Sequence, residues 1–150
     1  MNYKRLSPTA KEPTRGTVGS AGFDLYADIA GRGTHYTQKG TADIIVIKPY
    51  QTVRLPTGLA FEIPPNWCGL ILPRSSWTDL FDTKSPPIDS DYRGEVHIIL
   101  HNTSSSEQLI IHHARCAQLI IVPALTPPLY ECQELSKTGR GDGAFGSTGS

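Results

Sequence analysis

Three features of the sequence predict an all-β fold. Short runs of β-branched and aliphatic residues recur along the 150 residues. Gly, Pro, Asn and Asp punctuate these runs about every 8–12 residues. No long apolar stripe at helical spacing is present. Roughly six to ten short strands are expected, closing as a sandwich, jelly roll or barrel. At this length one domain over 1–150 can bury a real core.

The elements follow in order. The stretch up to Ser20 is polar and broken by Pro8, Pro13, Gly16 and Gly19; residues 1–18 read as an N-terminal arm or short edge strand. Ala21-Gly-Phe-Asp-Leu-Tyr-Ala27 alternates with a strand period, and residues 31–42 read as a loop. Ile44-Ile-Val-Ile47 is a short β-branched run, and residues 53–63 carry two strands' worth of pattern, ended by Pro64-Pro65-Asn66. Further strands are expected at 68–72, 96–100, 109–111 and 118–122. At most one short helix is expected, near Ser76-Trp-Thr-Asp-Leu-Phe81. Residues 136–150 are too Gly-rich to pack and read as a flexible tail that orders on binding.

Fourteen basic residues balance fourteen acidic ones, so no net field advertises a nucleic-acid or membrane partner. No apolar run approaches bilayer-spanning length, and Met1-Asn-Tyr-Lys-Arg5 lacks the apolar core of a signal peptide. The expectation is a soluble intracellular protein of the cytoplasm or nucleus. Cys68, Cys116 and Cys132 are widely spaced and odd in number, which reads as reduced thiols and not as a zinc site or disulfide framework. Asn102-Thr-Ser104 spells a glycosylation sequon, but no secretory signal gives it meaning.

The chemistry concentrates in Ser85-Pro-Pro-Ile-Asp-Ser-Asp-Tyr-Arg-Gly-Glu95. Pro86 and Pro87 stiffen its approach, while Ser90-Asp91 and Gly94 supply turn residues. A hairpin is expected that holds Asp89 and Tyr92 on a strand pair facing one pocket; a solvated Asp-rich turn is the plainer reading. Pro73-Arg-Ser-Ser76 precedes the helix candidate and would crown a helix N-terminus, as a phosphate seat or as an ordinary cap. In the tail, Gly141-x-Gly143-x-x-Gly146 is a dinucleotide fingerprint in letters only, with no room for the helix it needs. Its glycines can still wrap an anion, with Arg140 adding charge and Phe145 a stacking face; a disordered terminus is the alternative. His97 and His101 share a strand face and His112-His113 are adjacent, yet no carboxylate completes a metal set at a known spacing.

Five blocks, taken in order, resemble the trimeric dUTP pyrophosphatases (dUTPases). They are Ala21-Gly-Phe-Asp-Leu-Tyr-Ala27, Pro73-Arg-Ser75, Ile88-Asp-Ser-Asp-Tyr-Arg-Gly94, Arg115-Cys-Ala-Gln-Leu119 and Arg140-Gly-Asp-Gly-Ala-Phe-Gly-Ser-Thr-Gly149. Pro56-Thr-Gly58 and Ile63-Pro-Pro65 add to the likeness, which runs from about Gly19 onward. The resemblance implies a jelly-roll-like, distorted β-barrel and a homotrimer with sites between subunits. It implies hydrolysis of dUTP to dUMP and pyrophosphate, which keeps uracil out of DNA and supplies dUMP for dTTP synthesis. Asp89 would be the general base acting on water, and Tyr92 would press on the sugar and exclude a 2′-hydroxyl. Arg74, Ser75 and Gln118 would hold the phosphates, Arg140 the terminal ones, and Phe145 would cap the uracil. Ser76, Pro86, Ile88, His97, Gly146 and Ser147 complete the implied substrate-binding set. Mg²⁺ would arrive mainly on the triphosphate, with Asp24 touching it at most through water.

The chain departs from that family in places. Pro86-Pro87 stand where Gly and an aliphatic residue are usual, which removes an N–H donor from the base site. The connection from Ser75 to Asp89 is about two residues shorter, and Ala144 replaces a tail glycine. Two other readings stay open at this point. One is a catalytically silent dUTPase-derived binding module; the other is a dCTP deaminase-type relative.

Overall fold

Alternating burial marks the strands, as a two-residue side-chain period requires. In β9 (His97–Asn102), Ile98, Leu100 and Asn102 turn inward while His97, Ile99 and His101 are half-buried on the other face. The computed structural model describes residues 1–37 and 40–142. Their strands are β1 (Asn2–Arg5), β2 (Phe23–Tyr26), β3 (Thr34–Thr37), β4 (Gly40–Ile47), β5 (Thr52–Pro56) and β6 (Leu59–Glu62). After them come β7 (Trp67–Pro73), β8 (Phe81–Thr83), β9, β10 (Gln108–Ile111) and β11 (Arg115–Pro123). The all-β expectation holds.

Four small antiparallel sheets close on one core: β1-β6, β10-β4-β3, β2-β11-β7 and β5-β9-β8. Leu25, Ile29, Leu55, Leu59, Ile63, Ile98, Leu100 and Leu119 are fully enclosed within it. The longest ladder joins β11 to β7 from Ala117↔Pro73 to Pro123↔Trp67. On its other edge β11 meets β2, with Gln118 opposite Asp24 and a register shift between Arg115 and Ala117. Such a bulge adds local twist and re-aims the side chains beside it.

Three local expectations are corrected. Residues 31–42 are not simply a loop: β3 and the start of β4 pair there, Thr34 opposite Asp43. Thr-His-Tyr-Thr is a β-favouring run that the flanking glycines masked. The helix candidate shrinks to one 3₁₀ turn, Ser75–Trp77, and Phe81 opens a strand instead of ending a helix. Trp77 and Phe81 still pack, ring centroids 5.1 Å apart. Asp89 and Tyr92 sit on the irregular connection between β8 and β9 and not on a strand pair. The arm does contain an edge strand, β1, laid on β6 from Asn2↔Glu62 to Arg5↔Leu59.

The cysteines are unpaired thiols, and burial pushes Cys116 up to about 12, so it stays protonated and inert. No helix among the described residues is long and apolar enough to cross a membrane.

Asn102 ties three segments together from a fully buried position. Its Nδ2 lies 3.1, 3.0 and 2.8 Å from the carbonyls of Ile47, Lys48 and Ser106, and its Oδ1 accepts the Ser104 N–H and hydroxyl. The sequon asparagine is therefore a core strut. Asn102→Ala strands these buried groups and is expected to cost about 1–3 kcal/mol, read as a lower urea midpoint at unchanged m.

His112 accepts the Ile29 N–H at Nδ1 (3.1 Å). Burial lowers its pKa first, with His113 adding repulsion, while Asp28 and Asp43 pull the other way. A histidine lowered in the folded state adds stability that is complete above the ordinary imidazole range and is lost as pH falls toward the lowered value. The melting temperature is expected to hold above about pH 7 and decline below about 6.5. His112→Asn, which keeps an acceptor for Ile29, should shed that share of the slope; an unaltered slope in scanning calorimetry would sink the assignment.

Candidate active site

The connection from β8 to β9 is fastened at several points. Lys84 N–H donates to the Ile99 carbonyl (2.9 Å) and Ile99 N–H to Ser85 Oγ (2.9 Å). Gly69 and Ile88 exchange both backbone hydrogen bonds, at 2.9 and 2.8 Å. Gly69 is required there, because a Cβ would stand 2.9 Å from Leu119 Cδ1 and 3.0 Å from Ile63 Cδ1. Beyond Ile88 the chain turns, Tyr92 N–H donating to the Asp89 carbonyl (3.2 Å). Arg93 Nη1 braces the turn through the Ser90 and Tyr92 carbonyls, at 2.7 and 3.0 Å.

This connection forms one wall of a cavity of about 380 Å³. Pro86, Pro87, Ile88, Asp89 and Tyr92 line that wall, and His97, Ile99 and Arg54 of β9 and β5 line the other, with Ile71, Glu95 and Val96 between. Asp89 and Tyr92 thus face one pocket although no hairpin ladder carries them. Asp89 is exposed and its carboxylate makes no hydrogen bond or ion pair among the described residues, so both carboxylate oxygens are open to water. Tyr92 folds back over Gly94, where a Cβ would run into the ring, and its hydroxyl donates to the Glu95 carbonyl (3.0 Å). The Tyr-Arg-Gly motif has a steric reason: Gly94 leaves the ring its place.

Sequence reasoning passed over Arg54 and Glu95. Glu95 is a node: Oε1 accepts the Gly58 N–H (2.8 Å), Oε2 lies 3.5 Å from His97 Nε2, and its carbonyl lies 3.1 Å from His97 Nδ1. A carboxylate two residues before a strand histidine was the only signal for it. Arg54 could have been found from strand register, being paired with Ile99.

A second cluster gathers on the β2-β11-β7 sheet. Asp24, nearly buried, takes Arg74 Nε on Oδ1 (2.9 Å) and Arg115 Nη1 on Oδ2 (3.3 Å). Gln118 Nε2 donates to the Pro73 carbonyl (3.1 Å), and a Cβ at Gly22 would sit 2.6 Å from Gln118 Oε1. Gly22 is there to admit that amide. Arg115 was quoted in a motif but given no role; its register partner is Tyr26, two residues along β2 from Asp24, so nothing in the sequence pattern pointed to the pair. Ser75 and Ser76 are exposed beside Arg74. Their 3₁₀ turn is too short to supply a helix-end field, so any anion there meets hydroxyls and guanidinium groups instead.

The two clusters occupy opposite ends of β7. Asp89 borders a cavity with Cys68 and Trp67, whereas Arg74 follows Pro73. Arg74 lies six residue steps along extended chain from Cys68, about 20 Å at roughly 3.3 Å per step. Arg140 is exposed, and Phe145, Gly146 and Ser147 lie outside the described residues.

Neither candidate metal set forms a cage for Mg²⁺, which favours near-octahedral oxygen ligands. Asp24 gives an oxygen to each of two arginines. Asp28, His112 and His113 converge within 4.8 Å, a set suited to a transition ion. Its polar atoms are already engaged: Asp28 Oδ1 accepts the Thr9 hydroxyl (2.6 Å), His112 Nδ1 the Ile29 N–H, and His113 Nε2 meets the Thr9 carbonyl at 2.7 Å.

A family model described as dUTPase matches residues 9–149. The deoxyuridine 5'-triphosphate nucleotidohydrolase of Hydrogenobaculum sp. is 39% identical, covering 97% of this chain and 95% of that protein. Its namesake from Arabidopsis thaliana is 38% identical, covering 99% of this chain and 82% of that protein. The Staphylococcus bacteriophage 80alpha dUTPase with dUpNHpp superposes at TM-score 0.77 and 25% identity, over 99% of this chain and 98% of that one. A mutant dUTPase of phage phi11 of S. aureus, which coordinates a structural Mg(II) ion, shares the fold at TM-score 0.74 and 21% identity. The chain belongs to the dUTPase family.

Proposed function

We propose that this protein hydrolyses dUTP to dUMP and pyrophosphate. The observation that carries the reading is Asp89, an unpartnered carboxylate sharing a cavity wall with Tyr92. Asp89 orients a water and takes its proton as the oxygen bonds the α-phosphorus; the α–β phosphoanhydride breaks and pyrophosphate leaves. Tyr92, fixed by Gly94 and the Glu95 carbonyl, presses on the deoxyribose and leaves no room for a 2′-hydroxyl. Uracil enters the cavity beyond it, between the proline wall and β9. The silent binding-module reading calls for loss of Asp89 or Tyr92, and both line the cavity.

Arg74 and Gln118, with Ser75 and Ser76 beside them, form the phosphate-binding part. Arg115 helps hold Asp24, and Asp24 in turn aims Arg74. A Mg²⁺ bound to the triphosphate would supply charge neutralisation. Among the described residues no oxygen cage forms for it, so it would arrive on the substrate. Arg140 reaches the terminal phosphates and Phe145 covers the base when the tail, residues 136–150, closes.

A separation of about 20 Å along β7 supports a site shared between chains, with Arg74 of one copy serving Asp89 of another. The assembly proposed is the homotrimer expected for the family. Leu125, Leu129, Tyr130 and Leu135 support this, being each more than 80% exposed on a segment with no strand partner among the described residues.

Asp89→Asn should lower kcat about 10²–10⁴-fold while dUTP still binds. Arg74→Gln should also be nearly inactive. Mixing the two after subunit exchange should restore activity, since some sites then unite an intact Asp89 with an intact Arg74. A mixture no better than the sum of its parts would place the site within one chain. Gly94→Ala should displace the Tyr92 ring and raise UTP turnover relative to dUTP about tenfold, within the range steric discrimination is worth. Steady-state kinetics on both nucleotides measures this.

A further inference from the structure

We infer that Glu95, gripped by the Thr57-Gly58 turn, is a positioning residue for Tyr92, so that selectivity for the deoxy sugar is set partly outside the cavity. The inference rests on the sugar role proposed for Tyr92 above and adds to it the groups that hold the ring.

The need for such groups follows from exposure. Tyr92 is 45% exposed, so packing alone does not fix its ring. Gly94 clears a place for the ring, but a cleared place does not keep it there. A steric gate excludes a hydroxyl only while the blocking group cannot swing aside. At the far end of the ring the restraint is one hydrogen bond, from the hydroxyl to the Glu95 carbonyl at 3.0 Å. His97 Nδ1 meets the same carbonyl at 3.1 Å. How firmly Tyr92 is held therefore depends on how firmly that carbonyl is held.

Four contacts hold it. The carbonyl belongs to the peptide joining Glu95 to Val96, and the N–H of that peptide donates to the Leu59 carbonyl at 2.8 Å. A peptide is planar, so fixing its N–H fixes the direction of its C=O. The next carbonyl, that of Val96, accepts the Thr57 hydroxyl at 2.6 Å, and Thr57 Oγ1 accepts the Leu59 N–H at 3.2 Å. Finally, Glu95 Oε1 accepts the Gly58 N–H at 2.8 Å. Three consecutive residues thus clamp Glu95 and Val96, and the first of them, Thr57, is fully buried.

The clamp has a back wall of its own. Gly58 adopts φ of +66°, and a Cβ there would stand 2.6 Å from Asp28 Oδ2, 2.7 Å from Ala10 Cβ and 3.0 Å from Ser7 Cβ. The Leu6 N–H donates to the Gly58 carbonyl at 2.7 Å. Residues 6–10 of the N-terminal arm therefore close on the turn, which has no room to recede. None of them lines the Asp89 cavity. Glu95 does line it, so direct contact of its carboxylate with the sugar is the competing explanation.

The test is the ratio of kcat/KM for UTP to that for dUTP. The two substrates share base and triphosphate and differ in one hydroxyl, so loss of folded protein or of Asp89 function cancels. Tyr92→Phe, which removes only the ring hydroxyl, and Glu95→Ala should each raise the ratio about fivefold, the worth of one ordinary hydrogen bond. Glu95→Gln keeps an acceptor for Gly58 and should stay near the parent value. Thr57→Val should raise the ratio, and Thr57→Ser should restore it. When Tyr92→Phe and Glu95→Ala are combined the effects should not add, because both loosen the same ring. An unchanged ratio in Tyr92→Phe overturns the inference even if no other variant folds. A parent-like ratio in folded Glu95→Ala does the same, as does full additivity in the double variant, which would put the carboxylate on the sugar. Absence of dUTP turnover in the parent would instead sink the underlying function. The clamp would then be read by amide exchange at Gly58, slow in the parent and in Glu95→Gln and faster in Glu95→Ala; equal rates in all three overturn it.

Discussion

Two reciprocal hydrogen bonds, Gly69 to Ile88 and back at 2.9 and 2.8 Å, fix where the Asp89 cavity lies in this protein. They stitch an otherwise irregular connection onto β7, a strand held along its whole length by β11. Asp89 is the next residue along, so its position is inherited from a sheet and not from a loop. The stitch is possible only because position 69 has no side chain, with Leu119 and Ile63 closing over it. Loops usually carry catalytic groups at the expense of precision; this one borrows its precision from two backbone bonds and a glycine.

The same strand keeps the two clusters apart. β7 delivers Ile88 and Asp89 to one end and Arg74 to the other, and a stiff extended strand cannot bring its ends together. The Asp24–Arg74 pair strengthens the point. Asp24 is nearly buried and held by two guanidinium groups, so Arg74 is aimed by a fixed anion and cannot swing far. Removing either partner would leave a charge without its counterpart in a poorly solvated place. The Arg74 cluster is therefore as rigid as the Asp89 cluster, and within one chain the two stay at opposite ends of β7.

Much of this was legible in the residues. The strand runs at 53–63, 68–72 and 118–122 were visible because β-branched and aliphatic residues cluster there between turn signals. Asp89, Tyr92 and Arg74 stood out because charged and aromatic residues sat among prolines and glycines at element ends. What was not legible depended on register. Arg54 reaches the cavity through the pairing of β5 with β9, Glu95 is held there by the Gly58 N–H, and Arg115 meets Asp24 beside the register shift in β11 although its own partner is Tyr26. The 76–81 segment misled because Ser, Thr and Asp favour caps and turns as readily as a first helical turn. Here the Trp77–Phe81 contact and the pairing of β8 with β9 decided for the strand.

The proline pair brings these strands of argument together. Fixing φ at Pro86 and Pro87 narrows the states open to the unfolded loop and holds the cavity wall without help from a ladder. It also removes two N–H donors from that wall, so a polar ligand group set against the prolines would have to find its partner elsewhere. Across the cavity, β9 cannot shift register without exposing Ile98 and Leu100. Between the two walls the Glu95 carboxylate is anchored by the Gly58 N–H at 2.8 Å. The cavity is thus held on one side by fixed φ angles and on the other by a sheet, and neither side depends on a hairpin ladder.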